Sequence, residues 1–491
     1  MSLSRLWAFL AIALPTLGAL IASLQSVDLT YHLRAGGEIL DSGAIPTVDT
    51  WTFTAAGQPW TDQQWGAQVV LAAVYRLSGW TGLVILRALL VAVIFGCLFE
   101  IGRRRGLDIR RAAWLTLGAF VVSAAALSLR PQLLGMALFA VVLLLVADRR
   151  AHPGRLWAVP VIVIAWANLH GSFFLGPVVL GLAWLEDVRD RIARPHGTLV
   201  FAGVAAVAAC VTPFGPAVWA YAIGLSVNPE VTQRITEWQR TTPFEVPGFL
   251  FYASAFVVVA IVVLLHRRGH ATAWPTLVWL GLFFVIGAYA ARGIAWWSLA
   301  ALVPVAGLLA PGRTEVPGAT ERPTRLLMRR LNVVVAGAIV LAGVSLLPAW
   351  RPIDPRTLAP TGVVANAPSG ITGALRGLAR PGDRLFNPQV WGSWFEFALP
   401  DLPVAIDSRI ELSPPEVWDA YDLALTGTDR AATQLRDWGV TIAVLAAPDR
   451  RLLDRLEGTG WRTVYSDNDG WIVVSPDRQV LRVSRVIHSP V

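Results

Sequence analysis

The stretch GWTGLVILRALLVAVIFGCLFEIGRRR, residues 79–105, decides the class of this protein. At 1.5 Å per residue, its apolar part is long enough to cross about 30 Å of hydrocarbon as a helix. Arg103, Arg104 and Arg105 follow at once, as is typical of the cytoplasmic end of a membrane span. Arg87 lies inside the apolar run, where a charged side chain is costly and marks a function or a structural partner. The stretch therefore predicts a transmembrane helix with one buried cation.

Apolar runs of similar character lie on both sides of this stretch. Only 15% of the residues are charged, against about 25% in soluble domains, so most of the chain need not face water. The 22 Trp residues add rings that favour the headgroup region of a bilayer. The sequence therefore predicts a polytopic α-helical membrane protein of about 11 transmembrane helices. The predicted spans are 6–24, 79–101, 112–129, 131–147, 156–170, 172–185, 198–215, 249–265, 273–291, 293–311 and 331–349.

The Arg residues between these spans are distributed unevenly. If the N-terminus lies in the cytoplasm, the Arg clusters fall on the inner side and the outer connections carry only scattered Arg residues. The inner segments are then 102–111, 148–155, 186–197, 266–272 and 312–330. The positive-inside rule predicts this orientation, and an odd number of spans leaves the C-terminus outside. Because the net charge of +8 resides largely in these short loops, no nucleic-acid partner is predicted.

Three segments are predicted to project from the outer face. Within the membrane domain, 1–350, they are the first loop, 25–78, which carries two amphipathic patterns, and a second loop, 216–248. The third is 351–491, in which short strand-like runs alternate with helix-like runs. That alternation over a domain-sized segment predicts an extracytoplasmic α/β domain.

Two residues of the first loop suit general-base or metal chemistry. Asp28 and His32 are four residues apart, so on a helix they share a face. A carboxylate just outside the bilayer can act as a general base or bind a divalent metal ion, and Asp28 is the candidate ligand. The alternative for Asp28 is a helix N-cap. Asp49 is a second candidate carboxylate, with an Asx turn as its alternative.

Other unusual residues point to a phosphate-bearing ligand on the outer side. Arg130 and Arg292 suit phosphate recognition because guanidinium makes bidentate bonds to phosphate oxygens, although both could instead snorkel to the interface. Arg87 lies roughly 12 Å down its helix and requires either a structural partner or a wet cavity. His170 and Glu237 complete the candidate substrate-binding set, and the alternative for Glu237 is a solvated loop residue.

Two short motifs stand out in the C-terminal domain. They are Trp391-Gly-Ser-Trp and Ile406-Asp-Ser-Arg-Ile. Asp407 and Arg409 lie at the end of a predicted strand, where α/β folds place ligands. A salt bridge inside the domain, or a dock onto the membrane part, is the alternative, and a structural role is favoured.

Several of these motifs together resemble the GT-C-type glycosyltransferase-like membrane proteins of bacteria. In the first loop the resemblance rests on Val27-Asp-Leu-Thr-Tyr-His-Leu-Arg-Ala-Gly, Ile45-Pro-Thr-Val-Asp and Trp60-Thr-Asp-Gln-Gln-Trp. Further along the chain it rests on Ser128-Leu-Arg-Pro-Gln, Trp166-Ala-Asn-Leu-His-Gly and Thr236-Glu-Trp-Gln, and on the two C-terminal motifs. It covers nearly the whole chain.

The resemblance implies an enzyme of the bacterial cytoplasmic (inner) membrane. Such enzymes take a sugar from a polyprenyl-phosphate carrier at the outer face, and an acidic residue near the end of the first span is typical of them. Asp28 is the matching position here. The implied partners are a lipid-linked sugar donor, membrane lipid and an acceptor of unknown class, and the only cofactor considered is a divalent metal ion.

A non-catalytic role remains the alternative: a transporter of lipid-linked glycans or an envelope-assembly scaffold. Related sequences tend to have His-Glu-Trp where this chain has Gln63-Gln64-Trp65, which favours that alternative if the Glu is catalytic in relatives. Against a transporter, the chain shows no convincing internal repeat, and its charged residues cluster outside rather than at mid-depth.

Overall fold

The computed structural model describes residues 1–310 and 326–478, and the backbone of 487 and 488. Its α-helices are α1 Leu3–Ile21, α2 Ser26–Ser42, α3 Trp65–Arg104, α4 Ile109–Ser123, α5 Pro131–Ala147, α6 Ala158–Leu169, α7 Leu175–Arg189, α8 His196–Ala208, α9 Ala217–Val227, α10 Pro229–Arg234, α11 Val246–Arg267, α12 Trp274–Tyr289, α13 Ile294–Ala300, α14 Leu302–Leu309, α15 Leu326–Ser345, α16 Ser369–Leu378, α17 Gln389–Ala398, α18 Pro415–Leu425, α19 Asp429–Asp437 and α20 Arg450–Gly458. Arg313, Arg322 and Arg325, which the orientation argument includes, lie outside the described residues.

The strands of the described residues form three small sheets. They are β1 Leu24–Gln25, β2 Ile353–Asp354, β3 Ala359–Pro360, β4 Val364–Ala365, β5 Leu385–Phe386, β6 Ile442–Ala446, β7 Arg462–Ser466, β8 Gly470–Val474 and β9 Ile487–His488. The largest sheet has the strand order β5-β6-β8-β7-β9, with β5 parallel to β6 and β8 antiparallel to both β6 and β7. In a separate pair, β1 runs parallel to β4, with Leu24 opposite Val364.

The chain divides into two compact units. The helical unit comprises residues 1–22 and 81–350, and the α/β unit comprises 23–80 and 351–491. The first loop, which the sequence analysis assigned to the membrane domain, is thus grouped with the C-terminal segment. The division falls beside a break in α3 at Gly79, whose φ of 57° and ψ of −152° are not helical. Glycine tolerates this backbone conformation because it has no Cβ.

The described helices confirm a polytopic membrane protein. Seven helical segments, counted over the described ranges, are long and apolar enough to cross a bilayer, and each coincides with a predicted span. Three of them, Ile109–Ala126, Gly171–Arg189 and Ala291–Leu309, join an α-helix to a neighbouring helix or 3-10 turn. The other predicted spans coincide with shorter apolar helices, namely α5, α8 and α12 and the helical segment Pro153–Leu169. The predicted second loop, 216–248, contains α9 and α10. At about 1.5 Å per residue, α9 is too short to span a bilayer.

The helical unit is held together by packing of apolar helices. α7 packs on α8, α6 packs on α8, and α1 packs on α4 and α15. Phe139, Trp166, Phe283 and Trp296 form a buried aromatic cluster with ring centroids 5.5–6.4 Å apart. This geometry is typical of aromatic pairs inside proteins.

The α/β unit joins the first loop to the C-terminal segment through close helix packing. α2 packs on α17, and Arg34 of α2 donates through Nη1 to the carbonyl oxygen of Glu396 at 3.0 Å. A Cβ on Gly392 would lie 2.0 Å from the carbonyl oxygen of Ile406, so only glycine permits this approach. The Trp391-Gly-Ser-Trp motif therefore has a packing role, which agrees with the favoured structural interpretation.

Candidate functional site

Three of the predicted residues meet in the helical unit. Arg130 lies at the N-cap of α5, directly before Pro131, with extended backbone angles. Glu237 and Arg292 each lie in a single turn of 3-10 helix, Thr236–Trp238 and Ala291–Gly293. All three therefore lie at chain reversals and not inside long helices. At chain reversals, side chains from distant segments can converge.

The three side chains form one ion cluster. Arg130 donates through Nη1 to both carboxylate oxygens of Glu237, at 2.7 and 2.8 Å. Nη2 of Arg292 lies 3.9 Å from Oε2 of the same carboxylate. The Arg292 guanidinium also lies 4.6 Å from the ring centroid of Trp238, a cation–π contact. With two cations and one anion, the cluster is formally positive.

The backbone around the cluster is fixed by further contacts. The amide of Ala291 donates to the carbonyl oxygen of Gln239 at 3.0 Å, which holds the Glu237 segment beside Arg292. Thr241 donates through its amide to the carbonyl oxygen of Ala288 at 3.3 Å. A Cβ on Gly293 would lie 2.1 Å from the carbonyl oxygen of Ile286, so the turn that carries Arg292 requires glycine.

A cavity of about 190 Å³ opens beside this cluster. Arg130, Glu237 and Arg292 all line it. Its other polar lining residues are Ser128, Gln132, Thr236, Gln239, Arg240, Thr241, Thr242 and Glu245. The volume is below the roughly 300–1,000 Å³ of pockets for drug-sized ligands, so the cavity suits a phosphate-sized anionic group. Gln132, which the sequence analysis did not single out, donates to the carbonyl oxygen of Arg292 at 3.4 Å.

Two predicted substrate-binding residues do not line this cavity. His170 accepts through Nδ1 from the amide of Ser172 at 3.2 Å and lies 2.7 Å from the Ser172 hydroxyl. It caps the 3-10 turn before α7, a structural role. Arg87 is buried and donates to the carbonyl oxygen of Ala22, which is the C-cap of α1. A cation at a helix C-terminus is favourable, so this carbonyl group is a structural partner of Arg87, whose substrate-binding role stays a prediction.

Asp28 and His32 lie on α2 in the α/β unit. The N-cap of α2 is Gln25, so Asp28 is in the first turn and not at the N-cap as the alternative supposed. A carboxylate there interacts favourably with the helix dipole. Asp28 is half-buried, whereas His32 is buried with its ring centroid 3.9 Å from that of Tyr31. The helical spacing of the pair is as predicted.

Asp49 is built into the fold rather than presented to a ligand. Its Oδ1 accepts from the Trp51 amide at 3.3 Å, which is the Asx turn of the alternative interpretation. The same oxygen accepts from Nη2 of Arg409 at 2.8 Å, and both side chains are buried. These contacts agree with the alternative interpretation of Asp49, and its catalytic role stays a prediction.

Arg409 is the centre of a buried charge cluster. Besides Asp49, it binds Asp407, and its Nη2 lies 3.5 Å from Oε1 of Glu396. Its guanidinium lies 4.2 and 4.6 Å from the ring centroids of Trp51 and Trp60. The ion pair with Asp407 is the domain-internal salt bridge that the sequence analysis favoured.

The pKa values of two carboxyl groups beside Arg409, Glu396 and Asp407, are shifted in opposite directions. Burial, together with the Asp407 charge, raises the pKa of Glu396 well above its ordinary value. Burial alone would raise the pKa of Asp407 too, but Arg409 and a hydrogen bond with Glu396 hold it below its ordinary value. A neutral Glu396 beside an ionised Asp407 reduces the number of buried negative charges.

Two further carboxyl groups, those of Asp62 and Glu411, are also influenced by the charge of Arg409. Burial raises the pKa of Asp62 to about 7, although the hydrogen bond from Gln68 at 2.7 Å and the charge of Arg409 act against that shift. Burial also raises the pKa of Glu411. Neither residue was singled out from the sequence, and neither was Glu396. An acidic residue in the apolar helical run of α17 was a usable signal for Glu396.

The acidic residues do not form a metal-binding constellation. Over 1–310 and 326–478, no group of three or more His, Cys, Asp or Glu side chains is arranged to hold a metal ion. Asp28, the candidate ligand, therefore belongs to no such group among the described residues.

Comparison with solved structures identifies the fold. The chain is similar to ArnT from Cupriavidus metallidurans in the apo state, with 17% identity, a TM-score of 0.53, and coverage of 95% of this chain and 96% of that one. The ArnT structure bound to undecaprenyl phosphate gives 17% identity and a TM-score of 0.51, covering 95% and 97%. The chain is also similar to the Archaeoglobus fulgidus oligosaccharyltransferase tethered with an acceptor peptide. The identity is 12% and the TM-score 0.51, and the match covers 95% of this chain and 73% of that one.

These neighbours are GT-C glycosyltransferases, so the predicted GT-C-like fold is confirmed. No protein-family model and no curated protein matches the chain. At such low identity the structural likeness shows the fold alone.

Proposed function

We propose that this protein is a membrane glycosyltransferase that takes a sugar from a polyprenyl-phosphate carrier. The observation that carries the proposal is the convergence of Arg130 and Arg292 on one small polar cavity inside a GT-C-like fold. Guanidinium groups recognise phosphate oxygens and stabilise the charge that grows on a phosphate leaving group. One solved neighbour of the same fold, ArnT, is described with undecaprenyl phosphate bound.

In this proposal the reaction is an inverting transfer. Asp28 takes the proton of the acceptor hydroxyl as that oxygen attacks the anomeric carbon. The bond from the anomeric carbon to the carrier oxygen breaks, and the carrier leaves as its phosphate. Arg130 and Arg292 stabilise the negative charge on that phosphate.

The proposed site of action is the outer face of a bacterial inner membrane. The Arg distribution supports a cytoplasmic N-terminus and an extracytoplasmic α/β unit. Arg130, Glu237 and Arg292 all fall in connections that this orientation places outside. A cysteine-accessibility map of the connections, read from both sides of the membrane, tests that assignment.

The decisive experiment is carrier binding by the purified full-length protein. A panel of undecaprenyl-phosphate-linked sugars is titrated against the wild type, Arg130→Ala and Arg234→Ala. Arg234 is a matched control because it also forms an ion pair, with Glu230 at 2.7 Å, but does not line the cavity. It lies in 216–248, the connection that carries Glu237. We expect Arg130→Ala to weaken binding about tenfold or more, as for the loss of a charge-assisted hydrogen bond, and Arg234→Ala to bind like the wild type. Equal loss in both variants, or no binding by the wild type, contradicts the proposal and favours a non-catalytic role.

A further inference from the structure

The cavity of the helical unit already contains an anion that belongs to the protein. The Glu237 carboxylate lies 2.7 and 2.8 Å from Nη1 of Arg130 and 3.9 Å from Nη2 of Arg292. Carboxylate and phosphate present oxygens to guanidinium in the same way, so they compete for the same donors. Both Arg residues and Glu237 line the same cavity.

We infer that Glu237 is a built-in competitor of the carrier phosphate, which must displace the carboxylate from Arg130 in order to bind. The inference rests on the function proposed above and adds a specificity-determining residue to it. Without a ligand, the carboxylate holds two like-charged guanidinium groups beside one cavity, where they would otherwise repel each other. When a phosphate enters, it takes over that neutralisation and the carboxylate moves out.

The position of Glu237 allows this exchange. Its side chain is 38% exposed, more than the 21% of Arg130 and the 24% of Arg292, so it can reach water without unfolding the site. It lies on a single 3-10 turn rather than in a long helix. The neighbouring backbone is anchored at Gln239 and Thr241, so the displacement can stay confined to the side chain.

Competition by Glu237 also selects among ligands. A ligand must offer a stronger partner for two guanidinium groups than one carboxylate does. A phosphate with two or more free oxygens meets that condition, whereas the uncharged hydroxyl groups of a free sugar do not. The Glu237 carboxylate therefore keeps neutral glycans out of the cavity. By competing for the same guanidinium groups, it also speeds the release of the carrier phosphate after sugar transfer.

The test measures the affinity for undecaprenyl phosphate in the wild type, Glu237→Gln and Glu230→Gln. Glu237→Gln keeps the shape of the side chain and removes its charge, so we expect about fivefold tighter binding, the equivalent of one partly exposed ion pair. Glu230→Gln breaks the pair with Arg234 outside the cavity and leaves the affinity unchanged. Glu237→Asp retains the charge but shortens the reach, and we expect an intermediate gain.

The outcomes separate the two proposals. Binding by the wild type that is unchanged or weaker in Glu237→Gln overturns the competitor role and leaves the proposed function intact. Binding that appears only in Glu237→Gln supports the competitor. No binding by any variant, with thermal stability retained, overturns both.

Discussion

Arg409 donates through Nη2 to Oδ1 of Asp49 at 2.8 Å, although 360 positions separate them in the chain. The pair ties the first loop to the C-terminal segment inside the α/β unit. Both side chains are almost completely buried, at 1% and 0% exposure. The loop that carries Asp28 is thus fixed within the α/β unit by a charge cluster and not only by apolar packing.

Asp49→Ala should destabilise the α/β unit by about 3–5 kcal/mol, because it leaves a buried cation without one of its counter-charges. The free energy of unfolding is measured on the full chain by proteolysis in increasing urea. The control is Asp41→Ala, which breaks the exposed pair with Arg76 at 2.7 Å and should change stability by less than about 1 kcal/mol. If the two substitutions lower the free energy of unfolding equally, the buried pair stabilises the α/β unit no more than the exposed pair does.

Gly392→Ala should destabilise the same unit by about 1–3 kcal/mol. The added Cβ would lie 2.0 Å from a backbone oxygen and 2.7 Å from the Cα of Asp407, and backbone atoms cannot move aside cheaply. Gly377→Ala in α16 is the matched control, since nothing lies within 4 Å of its Cβ position. The control should be neutral or stabilise by up to about 1 kcal/mol. A neutral Gly392→Ala would mean that α17 can shift freely.

The membrane helices could be predicted from the sequence, but the contacts between distant segments could not. Each predicted span coincides with a described apolar helix, because a run of apolar residues carries its own signal. Arg130, Glu237 and Arg292 were also found from the sequence, as charged residues on the predicted outer side. That they meet in one cluster depends on how the helices pack, which no local pattern encodes.

The roles of Asp49 and Arg87 show the same limit. Both residues were correctly marked as unusual, but their partners, Arg409 and the carbonyl group of Ala22, are far away in sequence. A buried charge needs a partner, and the sequence does not say whether that partner is a ligand or the protein itself. For both residues the structure shows a partner within the protein itself.

Arg87→Met should lower the thermal stability of the helical unit without changing the affinity for the carrier. The Ala22 carbonyl group would lose a charged donor, a loss of about 1.5–3 kcal/mol. Stability is followed by the fraction of full-length protein that stays monodisperse after heating in detergent. Arg87→Lys, which keeps a cationic donor, should recover part of the loss. Weaker carrier binding at unchanged stability would instead restore the predicted substrate role.

Asp62→Asn should remove a pH dependence of stability from the α/β unit. The pKa of Asp62 is about 7 in the folded protein and about 3.9 in the unfolded chain, so the folded state binds the proton more tightly. The free energy of unfolding of the wild type should therefore fall as the pH rises from about 4 to 7, by up to about 4 kcal/mol, and then level off. Arg409, Glu411 and Gln68 are the charged and polar groups that act on Asp62.

Asparagine resembles the protonated form of aspartate. Asp62→Asn should thus match the wild type near pH 4 and exceed its stability at pH 8, as measured by proteolysis in urea at each pH. Asp401→Asn changes an exposed carboxylate of the same unit and should leave the pH profile unchanged. A wild-type profile that is flat between pH 5 and 8 would argue against the assignment.

Asp28→Asn should abolish sugar transfer while leaving carrier binding and folding intact. The substitution is nearly isosteric and keeps a polar group in the first turn of α2, but an amide cannot accept the proton of an acceptor hydroxyl. Turnover is measured with a radiolabelled carrier-linked sugar, and binding by titration with the same donor. Glu38→Gln, a change of a partly exposed carboxylate on the same helix, is the control and should retain activity. If Asp28→Asn turns over at the wild-type rate, another residue is the base, and the carboxyl groups around Arg409 become the next to substitute.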